Sequence, residues 1–87
     1  MSKRTLRIVE RKLGRERAHG RIMWMDDNNR KFVIEIDPTQ SAEDYLDTLV
    51  HEAAHMAFPY LEEEAITRGS TDIAKVLWAA GFRKTSQ

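Results

Sequence analysis

Two imidazoles four residues apart, with a carboxylate beside the first, stand in the stretch His51-Glu52-Ala53-Ala54-His55. On a helix, residues i and i+4 lie one above the other on one face, so both rings can reach a single metal ion. Glu52 leaves the helix about 100° from His51, where it can reach a metal-bound water without being a ligand. The segment that must carry the motif, 41–58, reads as helix. Ser41 with Asp44 approximates a capping box, and Glu43 and Asp44 suit the positive end of the helix dipole. Leu46, Leu49, Val50, Ala53 and Ala57 form an aliphatic stripe, with His51 and His55 projecting roughly 140–180° from it. A helix whose stripe rests on a sheet while its histidines point elsewhere needs a second partner on the histidine side.

Two histidines do not complete a zinc site, because catalytic zinc usually has three protein ligands and one open position. The chain has no cysteine, so the third ligand must be a histidine or a carboxylate. Phe58-Pro59-Tyr60 breaks the first helix, and a second is expected over 62–80, opening on Glu62-Glu63-Glu64. Its inward stripe is Ile66, Ser70, Ile73, Leu77 and Ala80, with Val76 at the edge. Glu62 and Glu63 flank that stripe, about 40° and 60° from Ile66, whereas Glu64 points about 160° away. Glu62 or Glu63 is therefore the expected third ligand. An acidic first turn also favours the helix dipole, whatever it binds. Gly81 is a natural stop, and Gly69 costs the helix about 1 kcal/mol relative to Ala, which a close approach to the first helix would explain.

The elements ahead of the motif read as strands. Residues 5–13 suit a half-buried edge strand, with Leu6 and Ile8 on one face and Arg7 and Val9 on the other. Residues 21–25 and 31–37 follow, with Phe32, Ile34 and Ile36 alternating towards the core. Asp26-Asp27-Asn28-Asn29 between them is turn chemistry; it lacks the glycine and distal glutamate of a calcium loop. His19, in a charged loop between Gly14 and Gly20, reads as a surface residue. The expected fold is α+β: a three-stranded antiparallel sheet followed by two antiparallel helices, with the first helix between sheet and second helix. At 87 residues this is one domain, a basic strand and loop over 1–21 ahead of a core over 22–83.

The net charge of zero conceals an asymmetry. Lys3, Arg4, Arg7, Arg11, Lys12, Arg15, Arg17 and Arg21 face only Glu10 and Glu16 in the first 21 residues, a net +6, and the remainder carries −6. Such an arm can track nucleic acid or pair with the chain's own acidic half; it has no interleaved aromatics for base stacking. No apolar run approaches the length of a membrane span, and the N-terminus lacks a signal-peptide core. A soluble, cytoplasmic protein is the expectation.

Residues 31–83, with LVHEAAHMAFPYLEEEAITRGSTDIAKVLWAAGF at their centre, resemble the zincin metallopeptidases, specifically small gluzincin-like HExxH proteins of phages and bacteria. In that family a Glu-Glu pair precedes a variable and then an aliphatic residue, which aligns it with Glu63 and Glu64 before Ala65 and Ile66. Combined with the helical projection, the resemblance implies zinc held by His51, His55 and Glu63. It also implies amide hydrolysis of a peptide or protein by a zinc-activated water, with Glu52 as general base. An extended substrate would pair with the strand 31–37 or its neighbour. Tyr45, Tyr60 and Arg83 are candidate hydrogen-bond donors to the transition state. The chain departs from the family's larger members in lacking their long spacer and second glutamate motif, and no histidine follows His55. Two other classes remain open: a zinc-stabilised binding module that uses the basic arm, and a metal-free structural domain.

Overall fold

The computed structural model describes residues 5–14, 19–24 and 31–84. Three strands precede two helices: β1 (Thr5–Glu10), β2 (Gly20–Trp24), β3 (Lys31–Ile36), α1 (Ala42–Ala57) and α2 (Glu63–Ala79). The helices and the last two strands end within one residue of the expected spans, and β1 stops early, at Glu10. The Asp26–Asn29 turn and Lys3, Arg4, Arg15 and Arg17 of the basic arm lie outside the described residues.

The sheet corrects the expected antiparallel arrangement. It is mixed, in the order β1-β3-β2, with β1 parallel to β3 and β2 antiparallel to it. The connection after β1 explains this, because it does not fold back as a hairpin. Arg11 N–H extends the ladder to the Ile36 carbonyl at 3.0 Å, and fully buried Leu13 donates its N–H to Asp37 Oδ2 at 2.9 Å. These anchors carry the chain past the C-terminal end of β3, so that β2 forms on the opposite edge.

Phe32, Ile34 and Ile36, at most 2% exposed, make the core face of β3. Leu6 and Ile8 lie opposite Phe32 and Ile34 in register and share their face, yet are 46% and 48% exposed. α1 covers β2 and β3 on one side and carries α2 on the other, as expected; α2 packs on α1 alone among the described residues. Ser41 caps α1 by accepting the Asp44 N–H at 3.1 Å. At the end of α2, Gly81 takes φ +95, and Gly81 and Phe82 donate to Trp78 and Leu77 at 3.0 Å, a glycine-dependent stop.

The face that α2 buries is rotated from the expected one. Ile66, Ser70 and Ala74 are buried, whereas Ile73 and Val76 are 50% and 68% exposed. Two small residues let α2 settle closely against the histidine side of α1. Gly69 is not at that contact, since a Cβ there would meet nothing within 4 Å.

Candidate metal centre

Helix spacing brings the two imidazoles together, and the antiparallel return of α2 brings a carboxylate between them. His51 Nε2 and His55 Nε2 are 3.2 Å apart. Glu63 reaches both, through Oε1 to His51 at 2.9 Å and Oε2 to His55 at 2.7 Å. One donor atom from each of the three lies within 4.8 Å of the others. A tetrahedral ion with bonds of about 2.0–2.1 Å separates its ligands by about 3.3 Å, so the three groups are close enough to hold one metal ion. The neighbouring glutamates are elsewhere. Glu64 pairs with Arg68 at 2.7 Å on the solvent side, and Glu62, the N-cap residue, makes no capping bond with its side chain.

Ser70 was expected only as part of the packing stripe, and the structure places it beside the site. It is 1% exposed; its Oγ donates to the Thr67 carbonyl at 3.2 Å and lies 3.4 Å from His51 Nδ1. With its own proton on the Thr67 carbonyl, the hydroxyl is placed to accept from His51 Nδ1–H, the tautomer that would leave Nε2 for a metal.

Glu52 faces the sheet rather than α2. Burial raises its carboxyl pKa; His51 and then His55 counteract this, and Glu63 adds to it. It stands against Gly20, where an added Cβ would lie 2.6 Å from Thr48 Cγ2, 3.1 Å from the Glu35 carbonyl oxygen and 3.4 Å from Glu52 Cγ. Only glycine lets β2 come this close to α1. Gln40 fixes the approach: it accepts from Thr48 Oγ1 at 2.8 Å and donates to the carbonyls of His19 and Asp37, at 3.2 and 2.9 Å. Neither Gly20 nor Gln40 carries a sequence signal, because each matters only through partners distant in the chain.

The strand beside the site is β2. β3 is central and paired on both edges, so it cannot accept another strand, and of the two expected candidates only its neighbour remains. Asp37 N–H donates to the His19 carbonyl at 2.8 Å. With the β2–β3 register, the antiparallel alternation turns the peptide groups of Arg21 and Met23 towards β3 and those of Gly20, Ile22 and Trp24 off the sheet. This free edge starts beside Glu52. A cavity of about 550 Å³ lined by His19, Asp37, Gln40, Asp44, Asp47 and Thr48 continues past the same end of the strand.

Two expected donors lie away from the centre. The Tyr45 hydroxyl donates to Glu10 at 2.8 Å, and burial, then the Glu10 carboxylate, push its pKa up to about 12. Arg83 donates to the Trp78 and Phe82 carbonyls and stacks on Trp78 beyond the far end of α2. Tyr60 is 78% exposed in the interhelical turn, against Phe58 at 6.3 Å between ring centroids. His19 is not part of the donor set. Arg11 and Arg21 of the basic arm flank Glu35 at 3.3 and 2.5 Å, on the sheet face opposite α1. No helix among the described residues is long and apolar enough to cross a membrane. Comparison of the chain with protein-family models, curated proteins and solved structures finds no match, so what the site can do is decided by its own geometry.

Proposed function

We propose that this chain is a zinc-dependent peptidase in which His51, His55 and Glu63 hold the metal and Glu52 is the general base. The observation that carries this reading is the convergence of the two imidazoles on Glu63, with a second carboxylate next in sequence that takes no part in the cluster. Zinc, when bound, supplies Lewis acidity: it polarises the scissile carbonyl and lowers the pKa of water from about 15.7 towards 7. The protein's own groups do the rest. Ser70 holds the His51 tautomer, and Glu52 accepts a proton from the attacking water and passes it to the leaving nitrogen. The Glu52 carboxylate forms no hydrogen bond or ion pair among the described residues, and burial disfavours its charge, which makes it a stronger base than a solvated carboxylate. The free edge of β2 receives the extended substrate backbone.

Zinc content of untagged protein, measured with peptide cleavage before and after chelation, tests this reading. One zinc per chain, with cleavage lost on chelation and restored by zinc, is expected. Protein that takes up no zinc refutes it.

A second reading has one observation in its favour. Arg7, Arg11 and Arg21 share the sheet face opposite α1, as the pairing of Arg7 with Val33 and Arg21 with Glu35 requires. A nucleic acid docked there would leave the metal as a structural ion. Neutralising these arginines would then abolish binding, and Glu52→Gln would not.

A further inference from the structure

We infer that α2 is a metal-latched arm. With the His51, His55 and Glu63 site loaded it is docked on α1; without metal it comes away as a unit about the 58–62 turn, while the sheet and α1 stay folded. The inference rests on the metal-binding half of the proposed function and not on the peptidase half. Packing alone gives α2 a shallow seat. Of its 17 residues only Ile66, Ser70 and Ala74 are buried, and Ile66 is the one large apolar side chain among them. No residue of α1 is fully buried on the other side of that seam. The rest of the buried apolar core, Leu13, Phe32, Ile34 and Ile36, belongs to β3 and the crossover after β1. Among the described residues α2 meets none of the strands, so that core survives its departure. An element with few buried apolar contacts opens at a lower free energy than the core it leans on.

Polar links between the helices gather at the metal site itself. Glu63 reaches His51 at 2.9 Å and His55 at 2.7 Å, and Ser70 Oγ lies 3.4 Å from His51 Nδ1. The Glu63 side chain is 66% exposed, and water competes for so open an ion pair, so without metal it holds α2 weakly. In the loaded site two ligands come from α1 and the third from the first residue of α2, which joins the helices where the second begins. At the far end the chain returns to β1 through Lys84, whose ammonium meets Glu10 and lies over the Tyr45 ring. That contact is also exposed, and it ties the tail rather than the helix. Residues 58–62, which join the helices, are all exposed and can re-orient without losing buried contacts. Once released, α2 does not persist, because an isolated helix of 17 residues is marginal in water and Gly69 weakens it further. Loss of metal therefore dismantles the site, since Glu63 and Ser70 both leave the histidines.

Hydrogen–deuterium exchange of the full chain, read by mass spectrometry in zinc and in EDTA, tests this, with zinc uptake measured separately by native mass spectrometry. In EDTA the amides of 63–79 should exchange freely while those of 31–36 stay protected. Zinc at about 100 times its dissociation constant should slow exchange in 63–79 about 100-fold. Glu63→Ala should leave 63–79 exchanging as fast as in EDTA, even at zinc concentrations where native mass spectrometry finds the ion bound, because His51 and His55 both belong to α1. Lys84→Ala should keep the zinc response. Wild type in EDTA with 63–79 as protected as 31–36 overturns the latch. So does zinc that binds wild type and leaves 63–79 unchanged, zinc that protects 63–79 in Glu63→Ala, or a zinc response lost in Lys84→Ala. A chain that takes up no zinc overturns the metal site and the latch with it, whereas a chain that latches and cleaves no peptide overturns the peptidase reading alone.

Discussion

Of three consecutive glutamates, only Glu63 bridges His51 and His55. Zinc affinity, measured by competition with a chromophoric chelator, should fall more for Glu63→Gln than for Glu62→Gln or Glu64→Gln. The opposite ranking would move the ligand to another residue. Ser70→Ala should keep the ligands and lose the hydrogen bond at His51 Nδ1, lowering zinc affinity by about 10–100-fold. A purely packing role for Ser70 would leave affinity unchanged. The clustering of His51 and His55 with a glutamate at the start of α2 was legible because i,i+4 spacing and the projection of the second helix are local geometry; these left Glu62 and Glu63 both open, and the choice of Glu63 rested on the family resemblance. Ser70 was legible only as an interior position, because its chemical role depends on a ring 19 residues away.

Among the elements, both helices were readable to within a residue, since caps, periodicity and the Gly81 stop all lie within the segments they define. The order of the strands was not. β1 has the composition of an edge strand wherever it sits, and its place beside β3 is decided by Leu13 and Asp37, 24 residues apart. The inward face of α2 was misread for a similar reason: Ile73 is the more apolar residue, but close approach to α1 favours the smaller Ala74. Gly20→Ala tests the seat of β2 against α1. With Thr48 Cγ2 at 2.6 Å from the new methyl, a loss of about 1–3 kcal/mol in unfolding free energy is expected, and combining it with Thr48→Ala should recover part of it. A variant as stable as wild type would mean that the contact between strand and helix is looser than described.

For the whole molecule, Asp37 joins the crossover, the β3 end and the approach to α1. Its carboxylate accepts from Leu13 N–H, Thr39 N–H and Thr39 Oγ1; the Thr39 hydroxyl, then the Leu13 and Thr39 amides, lower its pKa from 3.8 to about 2. A carboxyl whose pKa is depressed by folding stabilises the fold above its unfolded value and loses that contribution as pH falls through its folded value. The melting temperature of wild type should therefore exceed that of Asp37→Asn at neutral pH, with the difference fading as pH drops from 3.8 through about 2. A difference that does not change with pH would assign the effect to shape alone. The central claim, that this small domain hydrolyses peptide bonds with Glu52 as base, is tested most directly by peptide cleavage on wild type and Glu52→Gln, both zinc-loaded and matched for zinc content. Glu52→Gln should bind zinc as well as wild type, melt no lower, and cleave about 10²–10⁴-fold more slowly. Cleavage by Glu52→Gln at the wild-type rate, or none by zinc-loaded wild type across a broad peptide library, would contradict it.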